Sequence, residues 1–213
     1  MKTFRGAIFD LDGTLLDSMG VWVNVDKQFL GKRGIAVPDD YLEAIAHIGY
    51  IAAADYTIER FGLNEKPEDI IKEWRSLAVD AYVHDVMLKP YAKEYLTYLK
   101  NSGVKLSVAT ASEAVFFEPA LKRCGVYDMF DAFTTAIEVS RGKGFPDIYL
   151  LAAQKIGLST EECVVFEDIY AGIKGACDGG FYTVGVYDDA SQREQSKIIE
   201  CADMYIHNFY ELL

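Results

Sequence analysis

The chain has 213 residues, of which 51% are hydrophobic and 25% charged, a balance typical of a soluble globular enzyme. The length suits one large domain, or a core domain that carries an insertion. The formal net charge of −12 argues against nucleic acid as a partner, because phosphate backbones are bound by clustered Lys and Arg.

The N-terminal part of the chain consists of a short apolar run followed by a series of helical patterns. FRGAIF, residues 4–9, predicts a buried strand. Helical periodicity follows at 21–35, 39–48, 52–63 and 67–83, with no strong strand pattern between Met19 and Met87. We expect Asp17 or Ser18 to cap the first helix, and Pro67 to stand in the first turn of the last.

After Pro90 the pattern alternates between helices and strands. Strands are predicted at 104–110, 130–135, 163–168, 181–187 and 204–207, and helices at 91–103, 112–125, 147–157 and 170–180. Such βαβ units predict an α/β fold, a Rossmann-like doubly wound parallel sheet. The predicted domains are a core of residues 1–16 and 88–213 and a helical insertion of residues 17–87.

The chain places its acidic residues where predicted strands end. Asp10 and Asp12 follow the first strand, Thr110 to Ser112 follow the next, and Glu167 with Asp168 end a third. Ligands of open parallel sheets bind at this edge. Two carboxylates at ~4 Å repel by about 4 kcal/mol at an effective dielectric near 20, so the cluster requires a cation. Oxygen ligands favour Mg2+.

Each of these pieces also has an ordinary structural interpretation. A D-x-D-G segment is often a turn, Thr110 and Ser112 can cap the next helix, and Lys143 in RGKGFPD can be a solvated surface residue. Glu167 and Asp168 suit a helix N-terminus. Function is favoured because all the pieces fall in loops at one predicted edge of the sheet.

Together these segments resemble a known family. FDLDGTLLDS, VATAS, GKGFPDIY and VVFEDIYAGIKGA look like the four motifs of the haloacid dehalogenase superfamily, in their usual order. The match covers the whole core. The helical block resembles that superfamily's cap domain, and the subgroup it resembles most is that of the β-phosphoglucomutase-like phosphatases.

The resemblance implies a role for each motif residue. Asp10 would be the nucleophile that forms an aspartyl-phosphate, and Asp12 the general acid and base. Mg2+ would be held by Asp10, Asp12 through its backbone carbonyl, Glu167 and Asp168. The phosphoryl oxygens would be bound by Thr110, the amide of Ala111, Ser112 and Lys143. The insertion would act as a lid, hinged at 17–20 and 85–91.

The sequence departs from the resemblance at several positions. The third motif reads Lys143-Gly144 instead of lysine-proline. Trp22 stands where the mutase of this subgroup has a histidine that controls the acid/base aspartate. If Gly49 is the cap glycine, Ala52 replaces the mutase's sugar-phosphate arginine. Trp22 and Gly49 are candidate substrate-pocket residues, and Trp22 is equally well explained by packing.

The resulting prediction is an Mg2+-dependent phosphatase that acts on a small phosphorylated metabolite. The alternative on the same scaffold is a sugar phosphomutase, which Trp22 and Ala52 disfavour. A signalling receiver domain would not need the helical insertion, and a silent binding scaffold would keep the acidic repulsion without a use for it.

The remaining expectations concern the setting of the protein. Its four cysteines, Cys124, Cys163, Cys177 and Cys201, have no zinc-site spacing, so we expect reduced thiols. Because the sequence has no apolar signal core and no run of 18 apolar residues, we expect a cytoplasmic protein that does not enter membranes. We expect a monomer.

Overall fold

The computed structural model of the protein describes residues 4–45 and 49–213. Its strands are β1 Gly6–Phe9, β2 Leu16–Asp17, β3 Met87–Leu88, β4 Lys105–Thr110, β5 Ala132–Thr135, β6 Cys163–Glu167, β7 Tyr182–Val186 and β8 Met204–Ile206. Its helices are α1 Val21–Lys32, α2 Asp39–Ile45, α3 Tyr50–Phe61, α4 Pro67–His84, α5 Ala92–Asn101, α6 Ala114–Arg123, α7 Asp147–Lys155, α8 Tyr170–Asp178 and α9 Gln195–Cys201. The end of the helix predicted at 39–48 lies outside the described residues.

Six strands form one parallel sheet in the order β5-β4-β1-β6-β7-β8. Strand β1 lies at its centre, where Phe9 pairs with Val108 of β4 and with Phe166 of β6. The chain adds β4 and β5 on one side of β1 and then returns to add β6, β7 and β8 on the other. The sheet therefore has its topological switch at β1, the place where open α/β sheets bind ligands.

The central strands of the sheet are covered on both faces, since every residue of β1 and β6 is buried. Alternate residues of β1 point to opposite faces. Ile8 belongs to a buried cluster with Tyr149 and Ala152 of α7. On the other face the ring of Phe9 stacks on Phe166 with centroids 4.5 Å apart. A sheet buried in this way is typical of doubly wound α/β proteins, so the predicted fold class is confirmed.

The chain divides into two compact units, with the divisions between Met19 and Gly20 and between Asp85 and Val86. The first unit contains the sheet, and the second contains α1 to α4. A small antiparallel ribbon in the first unit pairs Leu16 with Leu88 and Asp17 with Met87. These two divisions differ from the predicted insertion limits of 17 and 87, because the ribbon belongs to the first unit. That the helical unit serves as a cap stays a prediction.

The start of α1 differs from the sequence prediction. Its N-terminal cap is Gly20, and no side chain caps the helix, so the prediction of Asp17 or Ser18 was wrong. Asp17 ends β2, and the hydroxyl of Ser18 donates to Asp12 instead. In the part of the chain that the structure describes, no helix is both long and apolar enough to span a bilayer.

Candidate active site

The segment after β1 is wound into a tight loop at the carboxyl edge of the sheet. The Asp10 amide donates to the Phe166 carbonyl at 3.0 Å and so extends the pairing of β1 with β6. The Leu11 carbonyl then accepts from the amides of both Leu15 and Leu16. Gly13 has φ +87°, a backbone conformation that glycine adopts without strain. The loop therefore turns back immediately after Asp10.

Four charged side chains from three segments converge beside this loop. Asp10, Glu167 and Asp168 each offer a carboxylate oxygen, and these oxygens lie within 4.8 Å of one another. The Lys143 ammonium lies 2.6 Å from Glu167 Oε1 and forms a second ion pair with Asp10 Oδ1. All four side chains are at most 10% exposed. The centre therefore holds three carboxylates and one ammonium group.

Hydroxyl groups orient the carboxylate of Asp168. Thr14 Oγ1 donates to Asp168 Oδ1 at 3.0 Å, and Ser191 Oγ donates to Asp168 Oδ2 at 3.1 Å. Ser191 lies in a tight turn that begins at Asp188. The Asp188 side chain stabilises this turn by accepting from the Ala190 amide. Both oxygens of Asp168 thus have one donor each and keep lone pairs for a further ligand.

Glu167 is fully buried, and among the described residues only one of its two carboxylate oxygens has hydrogen-bond partners. Its Oε1 accepts from the Lys143 ammonium and from the Tyr149 hydroxyl, at 2.6 and 2.7 Å. Its Oε2 is buried and has no hydrogen-bond partner within the described part of the chain. A Cβ atom at Gly172 would lie 2.3 Å from the Glu167 carboxyl carbon, so the helix α8 approaches this side chain closely. A buried carboxylate oxygen without a hydrogen-bond partner indicates a binding position for a cation.

Burial and charge shift the titration of this centre. Burial raises the pKa of Asp10 well above its ordinary value, an effect that Lys143 opposes and Glu167 reinforces. Burial, with Glu167 beside it, raises the pKa of Asp168 to about 6. Burial alone would lower the pKa of Lys143, but Asp10 and Glu167 outweigh it and the pKa is raised. The ammonium therefore keeps its charge, and the centre still lacks positive charge.

The residues present fit Mg2+. Carboxylates are the hard oxygen ligands that this ion prefers, and it binds through one or two of them together with water and phosphate oxygens. The orphaned Oε2 of Glu167 and the spare lone pairs of Asp168 supply suitable donors. The side chain of Asp12 is not part of this group of three carboxylates among the described residues. The prediction that Asp12 binds Mg2+ through its backbone carbonyl therefore stays a proposal.

The other sequence-predicted residues of the sheet lie at the same edge. Asp12 is half-buried and accepts from the Ser18 hydroxyl at 2.6 Å. Thr110 ends β4, next to β1 in the sheet, and its side-chain oxygen accepts from the Ser112 amide at 3.0 Å. Ala111 between them is exposed. Phosphate binding by Thr110, Ala111 and Ser112 stays a prediction.

Trp22 and Gly49 lie in the helical unit. Both line one cavity of that unit, of about 410 Å3. The ring of Trp22 also packs within the unit, with its centroid 5.6 Å from that of the Tyr50 ring. A role in substrate binding for Trp22 and Gly49 stays a prediction.

Three residues of the centre were not predicted from the sequence as site residues. Thr14 belongs to the FDLDGTLLDS segment, where its position two residues after Asp12 already indicates a hydroxyl near the acidic residues. Tyr149 occurs in a helical pattern in which an aromatic residue indicates core packing. Ser191 follows the strand β7 by five residues, in a segment whose pattern predicted nothing. Only the folded chain shows what these two hydroxyl groups bind.

Comparisons with known proteins identify the family of this chain. A sequence profile described as haloacid dehalogenase-like hydrolase matches residues 7–186. Hexitol phosphatase A of Escherichia coli is 28% identical over 98% of this chain and 93% of its own. Fructose-1-phosphate phosphatase YqaB of Escherichia coli is 30% identical over 87% of this chain and 97% of its own. A solved structure of a putative β-phosphoglucomutase from Thermotoga maritima covers 95% of this chain and 94% of its own, with a TM-score of 0.84 and 22% identity, and it supports the fold.

Proposed function

The chain belongs to the haloacid dehalogenase-like hydrolases, and from that premise we propose that it is an Mg2+-dependent phosphatase of small phosphomonoesters. One observation carries this proposal: Asp10, Lys143, Glu167 and Asp168 meet at the topological switch of the sheet. Phosphoryl transfer needs a nucleophile placed within a centre of fixed positive charge.

The reaction begins with Asp10. Its carboxylate attacks phosphorus, and the bond from phosphorus to the substrate oxygen breaks to give an aspartyl-phosphate. Asp12 donates its proton to the leaving oxygen, which departs as an alcohol. In the second step Asp12 accepts a proton from water as the water attacks phosphorus, and Asp10 is released with inorganic phosphate. Ser18 orients Asp12 for both transfers through its hydrogen bond.

Lys143 is the residue of this chain that neutralises the phosphoryl oxygens. Its ammonium contacts Asp10 directly, so it lies next to the atom that attacks. Glu167 holds the lysine in that position through Oε1, and the Tyr149 hydroxyl donates to the same oxygen. When Mg2+ is bound by Asp10, Glu167 and Asp168, it supplies further positive charge against the phosphoryl group.

The substrate class that we propose is a phosphorylated sugar, polyol or similar metabolite. Its support comes from relatives that are named for hexitol phosphate and fructose 1-phosphate and that match this chain over most of its length. With a net charge of −12, the protein needs local positive charge to bind such anions, and Lys143 together with a bound cation would supply it. A cytoplasmic monomer remains our expectation.

A panel of phosphorylated sugars, polyols and nucleosides, assayed for release of inorganic phosphate with and without Mg2+, tests this function. We expect release with Mg2+ and its loss in Asp10→Asn, by a factor of about 10³ or more, since the nucleophile is removed. Asp17→Asn is the matched control, because Asp17 is an exposed carboxylate seven residues away. Full activity of Asp10→Asn would remove Asp10 as the nucleophile.

The same assay separates the phosphatase from a phosphomutase. A mutase converts its sugar phosphate into an isomer and releases little free phosphate. We expect one equivalent of phosphate for each substrate consumed, and an isomeric sugar phosphate as the main product would contradict the proposal.

A further inference from the structure

The helical unit contains a cavity of its own. This cavity of about 410 Å3 is lined by residues of α1 to α4 and of the segment before α3. Its walls are largely apolar and aromatic, with Trp22, Tyr50 and Trp74 among the rings and Leu42 and Ile45 among the aliphatic side chains. A pocket of this size and lining is of the kind that binds a small organic molecule.

Two polar groups in the cavity wall are buried without adequate partners. The indole N–H of Trp74, a side chain only 4% exposed, has no hydrogen-bond partner among the residues that the structure describes. The Asp26 carboxyl is 6% exposed, and within residues 4–45 and 49–213 no cationic side chain forms an ion pair with it. Among the described residues, the hydroxyl of Tyr41 acts as a hydrogen-bond partner of this carboxyl, and it also contacts Thr57 at 2.8 Å.

Both groups point to a ligand because each is costly to bury as it stands. A buried donor without an acceptor forfeits the hydrogen bonds that it makes in water. A buried carboxylate without a cation resists ionisation, and burial raises the pKa of Asp26 to about 7. A single water molecule would serve the indole N–H, but it would leave the carboxylate charge unbalanced.

We propose that the helical unit binds a small amine with an apolar body, whose ammonium group pairs with Asp26 and whose hydrogen-bond acceptor receives the Trp74 N–H. The three aromatic rings in the wall favour the same occupant, since a cation is attracted to aromatic faces. An amino alcohol carries both required groups, and its hydrocarbon body matches the apolar lining.

The proposal is tested by calorimetric titration of the full chain with trans-2-aminocyclohexanol. Cyclohexylamine, which lacks the acceptor, and cyclohexanol, which lacks the ammonium, are the comparison ligands. Trp22 and Trp74 are the two tryptophans of the chain and both line the cavity, so indole fluorescence gives a second readout. At about pH 8 the amine is protonated and Asp26 is ready to pair with it.

We expect trans-2-aminocyclohexanol to bind about tenfold or more tightly than cyclohexanol. Asp26→Asn should lose that advantage, whereas Asp55→Asn, an exposed carboxylate of the same unit, should keep it. Trp74→Phe keeps an aromatic ring and removes the N–H, so it should reduce the affinity for the amino alcohol to that for cyclohexylamine.

Three outcomes would overturn the proposal: equal binding of cyclohexanol and the amines, unchanged affinity in Asp26→Asn, or no heat and no fluorescence change with any of the three ligands. Circular dichroism of each variant establishes that it is folded. Because binding is measured without turnover, the result is independent of the proposed phosphatase activity.

Discussion

The carboxylates of the candidate active site are held by hydroxyl groups as well as by charge. Thr14 and Ser191 each donate to one oxygen of Asp168, and Tyr149 donates to Glu167. These contacts fix where the acidic oxygens point, which a lysine on a flexible stem does less well. Placement of the proposed metal ligands Glu167 and Asp168 therefore depends on hydroxyl groups that have no role in the proposed chemistry.

Gly13→Ala should disable the site. The new Cβ would lie 2.3 Å from Asp168 Oδ2, and φ at this position is +87°, so both the carboxylate and the backbone would have to move. We expect phosphatase activity to fall by about tenfold or more, with a melting temperature several degrees lower. Steady-state kinetics and thermal unfolding measure the two effects.

The control for this change is Gly20→Ala. A Cβ at Gly20 meets nothing within 4 Å, and its φ is −77°. Activity should be unaffected there. If Gly13→Ala behaves like Gly20→Ala, then the close approach of this loop to Asp168 does not matter for function.

Tyr149→Phe should destabilise the protein, because it removes a hydrogen bond to Glu167 in the same centre. It removes one of the two donors to Glu167 Oε1 and leaves the ring in place, so the free energy of unfolding should fall by about 1–3 kcal/mol. The pKa of Tyr149 is raised well above its usual value, chiefly by burial, so the hydroxyl stays protonated and able to donate. Urea unfolding measures the change, and Tyr210→Phe at a 64% exposed position should show almost none.

At the scale of the element, α1 carries a buried acid on its inner face. The folded-state pKa of Asp26, about 7, lies above the ordinary value near 3.9, so folding favours the neutral form. The stability that the protein gains by keeping Asp26 neutral is fully present below about pH 4 and is lost as the pH rises through 7. The native protein should therefore lose on the order of 4 kcal/mol of stability over that interval from this residue.

Asp26→Asn isolates this effect, because asparagine has the same shape and does not ionise. The variant should unfold at higher urea concentration than the native protein at about pH 8, and at a similar concentration near pH 4. Asp55→Asn is the matched control. A difference between Asp26→Asn and native protein that stays constant across this pH range would rule out a raised pKa at Asp26.

Elements with strong periodicity were predictable from the sequence, and the weakly patterned ones were not. The strands of the parallel sheet and helices such as α4 and α7 agree in type and approximate position with their apolar patterns. The ribbon of β2 and β3 has two residues in each strand, too few to show a period of two. Helix α9 has only Ile198 buried, so its sequence lacks an amphipathic signal.

The site was predictable to the extent that its motifs lie at strand ends. Asp10, Glu167 and Asp168 follow directly from strands β1 and β6, and strand ends meet at one edge. Tyr149 and Ser191 come from a helix and an irregular segment, where nothing in the local pattern states which way a hydroxyl points. Their contacts depend on the packing of the completed sheet.

At the scale of the whole molecule, the strand order brings three negatively charged side chains together at the carboxyl edge of the sheet. The three carboxylates of the centre face a single ammonium group, and their mutual repulsion opposes folding until a cation is added. Mg2+ should therefore raise the melting temperature. At a hundredfold excess over its dissociation constant, a ligand that binds only the native state stabilises by about 2.7 kcal/mol.

Differential scanning calorimetry in Mg2+ and in EDTA measures this shift. Sodium chloride at matched ionic strength controls for general screening, and Glu167→Gln should lose most of the response because the orphaned carboxylate oxygen is replaced. Identical melting temperatures in Mg2+ and EDTA would argue against a metal site at this edge.

The two-residue ribbon has a consequence for how this protein can be rebuilt. Leu16 and Leu88 are paired across antiparallel strands, and the Lys89 amide donates to the Leu15 carbonyl at 2.8 Å. Facing residues in such a ribbon stand only about 5 Å apart, a gap that a tight hairpin turn closes. We therefore expect that a short turn or another helical module could replace residues 20–85 while β2 and β3 stay paired and the sheet keeps its strand order.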